Sequence, residues 1–196
     1  MSDYTVISAV SNSLLGVLKQ NITMSPDAGL NGVEISLLSP PEMHEKSGQS
    51  GISLWLYKVS RMPEMLNDPP ERRGLSQILR TPLPIILFYL ITPISADPDT
   101  RHILLGRVLQ VFNDHAILRG ADLQGTLENT SEQLRVNLEA LSLEELSLVW
   151  EALSEPYQLS VTYLVQVVKI DSDLEPVQSS LVVEKTSTYS QILSAD

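Results

Sequence analysis

Residues 81–112, TPLPIILFYLITPISADPDTRHILLGRVLQVF, carry a buried strand, a proline-marked turn and a capped helix in succession. Pro82 and Pro84 hold the backbone extended, and Ile85, Ile86, Leu87, Phe88, Tyr89, Leu90 and Ile91 are apolar on both faces of the strand they begin. That pattern predicts a central strand, because an exposed edge would alternate with polar residues. Thr92-Pro93 ends it. Asp97-Pro98 then reads as an N-cap followed by proline at the first helical position, with Asp99 near the positive end of the helix dipole. Ile103, Leu104, Val108, Leu109, Val111 and Phe112 supply the expected buried stripe, with Arg101, His102 and Arg107 outside it.

Working backwards, Ile52, Leu54 and Leu56 alternate with Ser53, Trp55 and Tyr57, which predicts a strand whose second face holds two aromatics. Residues 61–80, RMPEMLNDPPERRGLSQILR, form a connection longer than two strands require. Asp68-Pro69-Pro70 makes a stiff corner, Arg72 and Arg73 stand at an exposed tip, and Leu75, Ile78 and Leu79 are expected to form a short helix. Nearer the start, Val6, Val10, Leu14, Val17 and Leu18 recur at helical steps, and Val33, Ile35 and Leu37 alternate as a half-buried strand ended by Pro40-Pro41. Residues 42–51 read as a polar connection.

Working forwards, residues 113–131 are turn-rich, and Leu134, Val136 and Leu138 alternate as a short strand. Ser142 to Glu145 is a capping box, with Leu141 and Leu146 at the spacing of a hydrophobic staple, and the helix runs to about Leu153. Leu159, Val161, Tyr163, Val165 and Val167 alternate in a long strand, and a last strand is expected over residues 177–185. The expected fold is a single α+β domain over residues 1–185 with a tail over 186–196. A mostly antiparallel sheet, built from residues 33–38, 52–59, 83–92, 133–139, 158–170 and 177–185, is packed by three helices.

Composition agrees with one domain. The 196 residues are 43% hydrophobic, enough to bury a sizeable core, and the absence of cysteine excludes disulfides and thiolate metal sites. The first twenty residues lack the basic region of a secretory signal, and the longest apolar run is far below the roughly 20 residues that span a bilayer, so a soluble product is expected. Net charge is -11, unevenly spread. Residues 58–119 hold eight bases against six acids, whereas residues 132–196 hold eleven acids against three bases. An acidic chain is a poor ligand for duplex nucleic acid. Polarised charge suits either a protein partner or simply an uneven solvated surface.

The order of several blocks resembles the cap, or tail-terminator, proteins of contractile injection systems, which are phage-tail-like particles. The blocks are Ser53-Leu54-Trp55-Leu56-Tyr57-Lys58-Val59, Leu83-Pro84 with Tyr89-Leu90-Ile91-Thr92, and Leu104-Leu105-Gly106-Arg107-Val108. A second signature follows in Glu145-Leu146, Val149-Trp150, Ala152-Leu153, Pro156-Tyr157, Ser160-Val161-Thr162-Tyr163 and Val167-Val168. Together they span roughly residues 5–185. The resemblance implies a tail-terminator fold and a ring, of six subunits, that sits on the end of an inner tube and contractile sheath and stops their growth. Its implied partners are further copies of itself, the tube protein and the sheath protein, with no nucleic acid, no cofactor and no membrane insertion. Assembly in the cytoplasm and a final place at one particle end follow from the same resemblance.

Enzyme motifs are missing. His44, His102 and His115 lie in separate segments without metal-ligand spacing, and neither a G-x-S-x-G elbow nor a glycine-rich phosphate loop occurs. Glu144 and Glu145 are accounted for by helix capping. Trp55 and Trp150 read as core residues. The candidate partner interface is therefore Arg61, Arg72, Arg73 and Arg80 in the long connection. Leu181, Val182 and Val183 join it, because the resemblance implies strands donated between neighbours. The alternative is a module that binds a small molecule or peptide between its long loops.

Overall fold

The computed structural model describes residues 3–46, 51–65, 72–73 and 77–178. Among them run α1 (Val6–Leu18), β1 (Glu34–Ser36), α2 (Pro40–Lys46), β2 (Gly51–Arg61), β3 (Arg72–Arg73), β4 (Gln77–Ile78), β5 (Leu83–Ile94), α3 (Pro98–Asp114), β6 (Ile117–Leu118), β7 (Leu134–Glu139), α4 (Leu143–Ala152), β8 (Val161–Ile170) and β9 (Val177–Gln178). The main sheet has the order β1-β2-β5-β8-β7-β6, with only β1 and β2 parallel. β5 is central, as its two apolar faces require, but it does not end at Thr92-Pro93: pairing with β2 carries it through Pro93 to Ile94. Among the described residues the fold is α+β, with four α-helices on a mostly antiparallel sheet.

The inner face of the sheet presents Ile52, Leu54, Leu87, Tyr89, Ile91 and Val165, all fully buried. α1 and α3 cover that face, through Val10, Leu14 and Leu18 of the first helix and Leu104, Val108 and Phe112 of the second. Tyr89 Oη lies 2.8 Å from Ser11 Oγ, so a buried polar contact ties the central strand to α1. The ring of Phe112 meets Tyr163 edge-on at 4.9 Å. Burial pushes the Tyr163 hydroxyl up to about 12.

Two 3-10 turns, Gly120–Asp122 and Gly125–Leu127, strap α1 from outside. The Gln124 amide donates to Ser13 Oγ at 2.8 Å, and the Thr5 and Thr126 hydroxyls lie 3.2 Å apart. Gly16 leaves the space that the Gln124 side chain fills, and Gly125 turns beneath Ala9 with φ at +62°. Small residues at positions 9, 13 and 16 thus form the bed of the strap.

Several expectations change. Residues 40–46 form α2 rather than a polar connection. The Glu42 carboxylate accepts from the Ser39 amide and hydroxyl and caps that helix, and these bonds hold its pKa below the ordinary carboxylate value. Ile103 is 59% exposed rather than buried, because the stripe facing α1 and β5 is set by Leu104, Val108, Val111 and Phe112. Residues 77–78 are a strand rather than part of the short helix expected from Leu75, Ile78 and Leu79. β9 does not join the main sheet but pairs with β4 in a second small sheet, ordered β3-β4-β9. Leu138 keeps its place in the alternation of β7 yet is 57% exposed. Among the described residues, no helix is long and apolar enough to cross a membrane.

Candidate assembly surfaces

The long connection and the chain's C-terminal part meet. β2 ends at Arg61, which is exposed and opposite Ile85, and the chain returns to the body through exposed Arg80. Between them Arg72 pairs with Ile78 and Arg73 with Gln77, and β4 in turn pairs with β9 through Gln77 with Gln178 and Ile78 with Val177. Backbone hydrogen bonds therefore hold the arginine-bearing strand one strand away from the segment that leads toward Leu181, Val182 and Val183. Those three residues lie outside the described ones.

The outer face of the sheet carries a site that the sequence announced only in part. Trp55 and Tyr57 project from β2, with ring centres 6.3 Å apart, and Tyr57 meets Phe88 of β5 at the same distance and edge-on. An extra residue in β2 between Leu56 and Lys58 makes this possible. The register against β5 slips there, so Tyr57 and Lys58 both reach the outer face. Lys58 Nζ stands 4.5 Å from the centre of the Phe88 ring, a cation-π contact. Tyr57 Oη donates to Glu139 Oε2 at 3.3 Å. Burial, then the charge of Glu139 and this hydrogen bond, push the Tyr57 hydroxyl well above its ordinary value. Phe88 and Glu139 were missed by the sequence reading, and the paired aromatics of β2 were the signal that pointed toward them.

α4 lies on this same face. Its Ser142 N-cap accepts from the Glu145 amide at 3.2 Å, and the Glu145 carboxylate accepts from the Ser142 amide at 2.9 Å, completing the capping box read from the sequence. Those bonds lower the Glu145 pKa, with a smaller contribution from Lys58. Trp150 is buried and donates from Nε1 to Ser160 Oγ at 3.1 Å. Trp150 is core as expected, whereas Trp55 is only half-buried.

The histidines lie apart. His44 on α2 approaches Gln158 at 3.4 Å, His102 is exposed on α3, and His115 caps the C-terminus of that helix. Among the described residues no group of His, Cys, Asp or Glu has the arrangement of a metal site. An open groove of about 570 Å³ runs beside edge strand β1, lined by Leu15, Lys19, Thr23, Ile35 and Leu37 among others. Lys46 on its rim pairs with Glu34 at 3.6 Å.

Residues 9–184 match one family, that of the Pvc16 N-terminal domain. The chain belongs to the Pvc16 N-terminal domain family. Its fold is similar over 100% of its length to a PVC sheath/tube terminator of an extracellular contractile injection system in the extended state. The TM-score is 0.64 at 20% identity, and 67% of that chain is covered. It is also similar to the tube-terminating cap of the anti-feeding prophage, with TM-score 0.60, 17% identity, 92% of this chain and 60% of that one. In both comparisons the Pvc16 N-terminal domain chain spans only part of the other chain's length. No curated protein matches it.

Proposed function

We propose that this chain is a terminator of a phage-tail-like contractile injection system. It closes into a ring of six on the end of the inner tube and sheath, and so stops their polymerisation and stabilises the particle. The observation that carries this reading is the agreement of the whole fold with two tube terminators, alongside the family match. A cap of this kind needs no catalytic group. It needs an interface that closes and one face that fits the tube or sheath end, with a second face that does not repeat the first.

The docking elements we assign to that role are the connection carrying Arg61, Arg72, Arg73 and Arg80, and the segment of Leu181, Val182 and Val183. Support comes from the small β3-β4-β9 sheet, which brings the first of these beside the strand that precedes the second. Forked guanidinium donors suit partner carboxylates and carbonyls, and a β-prone segment suits strand addition. The tail over residues 186–196 belongs with the same assembly role.

Electron microscopy of particles assembled without this protein tests the reading. Over-long or open-ended tubes are expected. Particles of normal length with closed ends would remove it, and a map with one or two copies per end, instead of a cyclic set matching the tube, would remove the ring.

A further inference from the structure

Among the described residues, the outer face of the sheet is only half covered. At the end nearer α2 and α4 its residues are buried: Ser53, Leu90 and Thr92 are 0% exposed and Thr162 is 2% exposed. Toward the other end the same face emerges in part: Phe88 and Pro84 stay buried, Ile86, Leu164 and Lys169 are half-buried, and Lys58 and Arg135 are exposed. The register places Lys58 opposite Phe88, Arg135 opposite Gln166 and Lys169 opposite Pro84, so all three cations share this face. In a chain of net charge -11 this is a local reversal of sign. Two carboxylates border these cations: Glu139 of β7 is engaged by Tyr57, and Glu145 of α4, near enough for Lys58 to lower its pKa, is engaged by Ser142.

Beside this half stands α4, held to the start of β8 by Trp150 and Ser160 and with Glu145 near Lys58. Trp150 of α4 is buried, and Leu146, Val149 and Leu153 are half-buried on the same side of the helix. Its opposite side carries Glu144, Leu148 and Glu151, at helical steps of four and three, all exposed, with Leu148 at 60%. One half of the face is thus basic with apolar residues between the charges. The other is a raised acidic ridge with an apolar residue at its centre.

We infer that this face pairs with a second copy of the chain, the acidic ridge of each α4 seated on the bare basic half of the other's sheet. The two halves look in the same direction, so only a copy turned over can bring ridge onto sheet. The contact is therefore reciprocal and two-fold, and both halves are filled by one operation. Such a contact cannot propagate head to tail around a ring. It is separate from the terminator reading and stands or falls without it. Opposite charges across the contact give it register and salt sensitivity, and Leu148, Ile86 and Leu164, exposed or half-buried in the single chain, give it apolar area.

Sedimentation of the full chain decides the matter. At low salt the apparent mass is expected to rise with concentration from one chain to two, and to return to one chain at high salt. Lys58→Glu with Arg135→Glu is expected to weaken pairing at least about tenfold, as is Glu144→Lys with Glu151→Lys. The second pair lies wholly on an exposed helix face, and unchanged thermal unfolding confirms that either variant is folded. Mixing the two variants restores both contacts in one heterodimer, so a two-chain mass is expected to reappear. Three results would overturn the proposal. They are a one-chain mass for the wild type at every concentration, which leaves the face to a foreign acidic partner, a dimer indifferent to both reversals, and reversed variants that do not re-pair on mixing.

Discussion

Tyr57 Oη donates to Glu139 Oε2 at 3.3 Å although β5 and β8 lie between their strands. The phenol spans the outer face, with its ring against Trp55 and Phe88. A register slip in β2 aims it there, and the side chain then joins the flank of the sheet carrying β2 to the flank carrying β7.

Tyr57→Phe keeps the ring contacts and removes only the hydrogen bond to a partly exposed carboxylate, so it is expected to cost about 1 kcal/mol or less. Tyr57→Ala removes the aromatic contacts as well, and about 2 kcal/mol is expected. Urea unfolding of both variants checks the ordering. Equal losses would show that the rings contribute nothing.

Thr92 is fully buried, and its Oγ1 has no hydrogen-bond partner among the described residues. A buried hydroxyl without a partner keeps its desolvation cost and gains nothing in return. Thr92→Val, which is nearly isosteric, is expected to stabilise the protein by about 1 kcal/mol. A lower midpoint in denaturant would mean that the hydroxyl is satisfied after all.

Ser142→Ala removes the N-cap of α4, and a loss of about 1 kcal/mol is expected. His102→Ala and His115→Ala are expected to change stability and capping little. Were either histidine variant to fold normally but abolish particle capping, the non-catalytic reading would have to be given up.

The carboxylates of Glu42, Asp97 and Glu145 each accept hydrogen bonds at the start of a helix, chiefly from Ser39, Thr100 and Ser142, and each has its pKa lowered. A depressed folded pKa means that the folded state resists protonation more than the unfolded chain does. The stabilisation is whole above the ordinary carboxylate pKa and is lost as pH falls through the lowered value. Unfolding midpoints are therefore expected to drop on acidification below about pH 4.5. Glu145→Gln is expected to flatten part of that slope, and an unchanged slope would assign the acid sensitivity elsewhere.

Arg72→Glu with Arg73→Glu is expected to leave unfolding unchanged and to weaken capping in a salt-dependent way, giving longer or open-ended particles. The length distribution measured by electron microscopy reads this directly. A normal distribution at wild-type protein levels would place the contact surface outside the β2–β5 connection.

The amino-acid sequence by itself determined what depends on neighbours in the chain. The central strand over residues 83–92, the Asp97 cap with Pro98 behind it, the Ser142–Glu145 box and the stripe of α1 all follow from spacings within a few residues. Local hydrogen bonds and periodic burial are enough to specify them. The tertiary structure decided what depends on residues far apart in the chain. The parallel pairing of β1, the slip at Tyr57, the strap over α1 and the small sheet joining β4 to β9 each need a partner tens of residues away. So do the exposure of Ile103 and the reach of Tyr57 to Glu139, because a side chain's burial and its partner are set by what packs against it. No pattern within one segment encodes that.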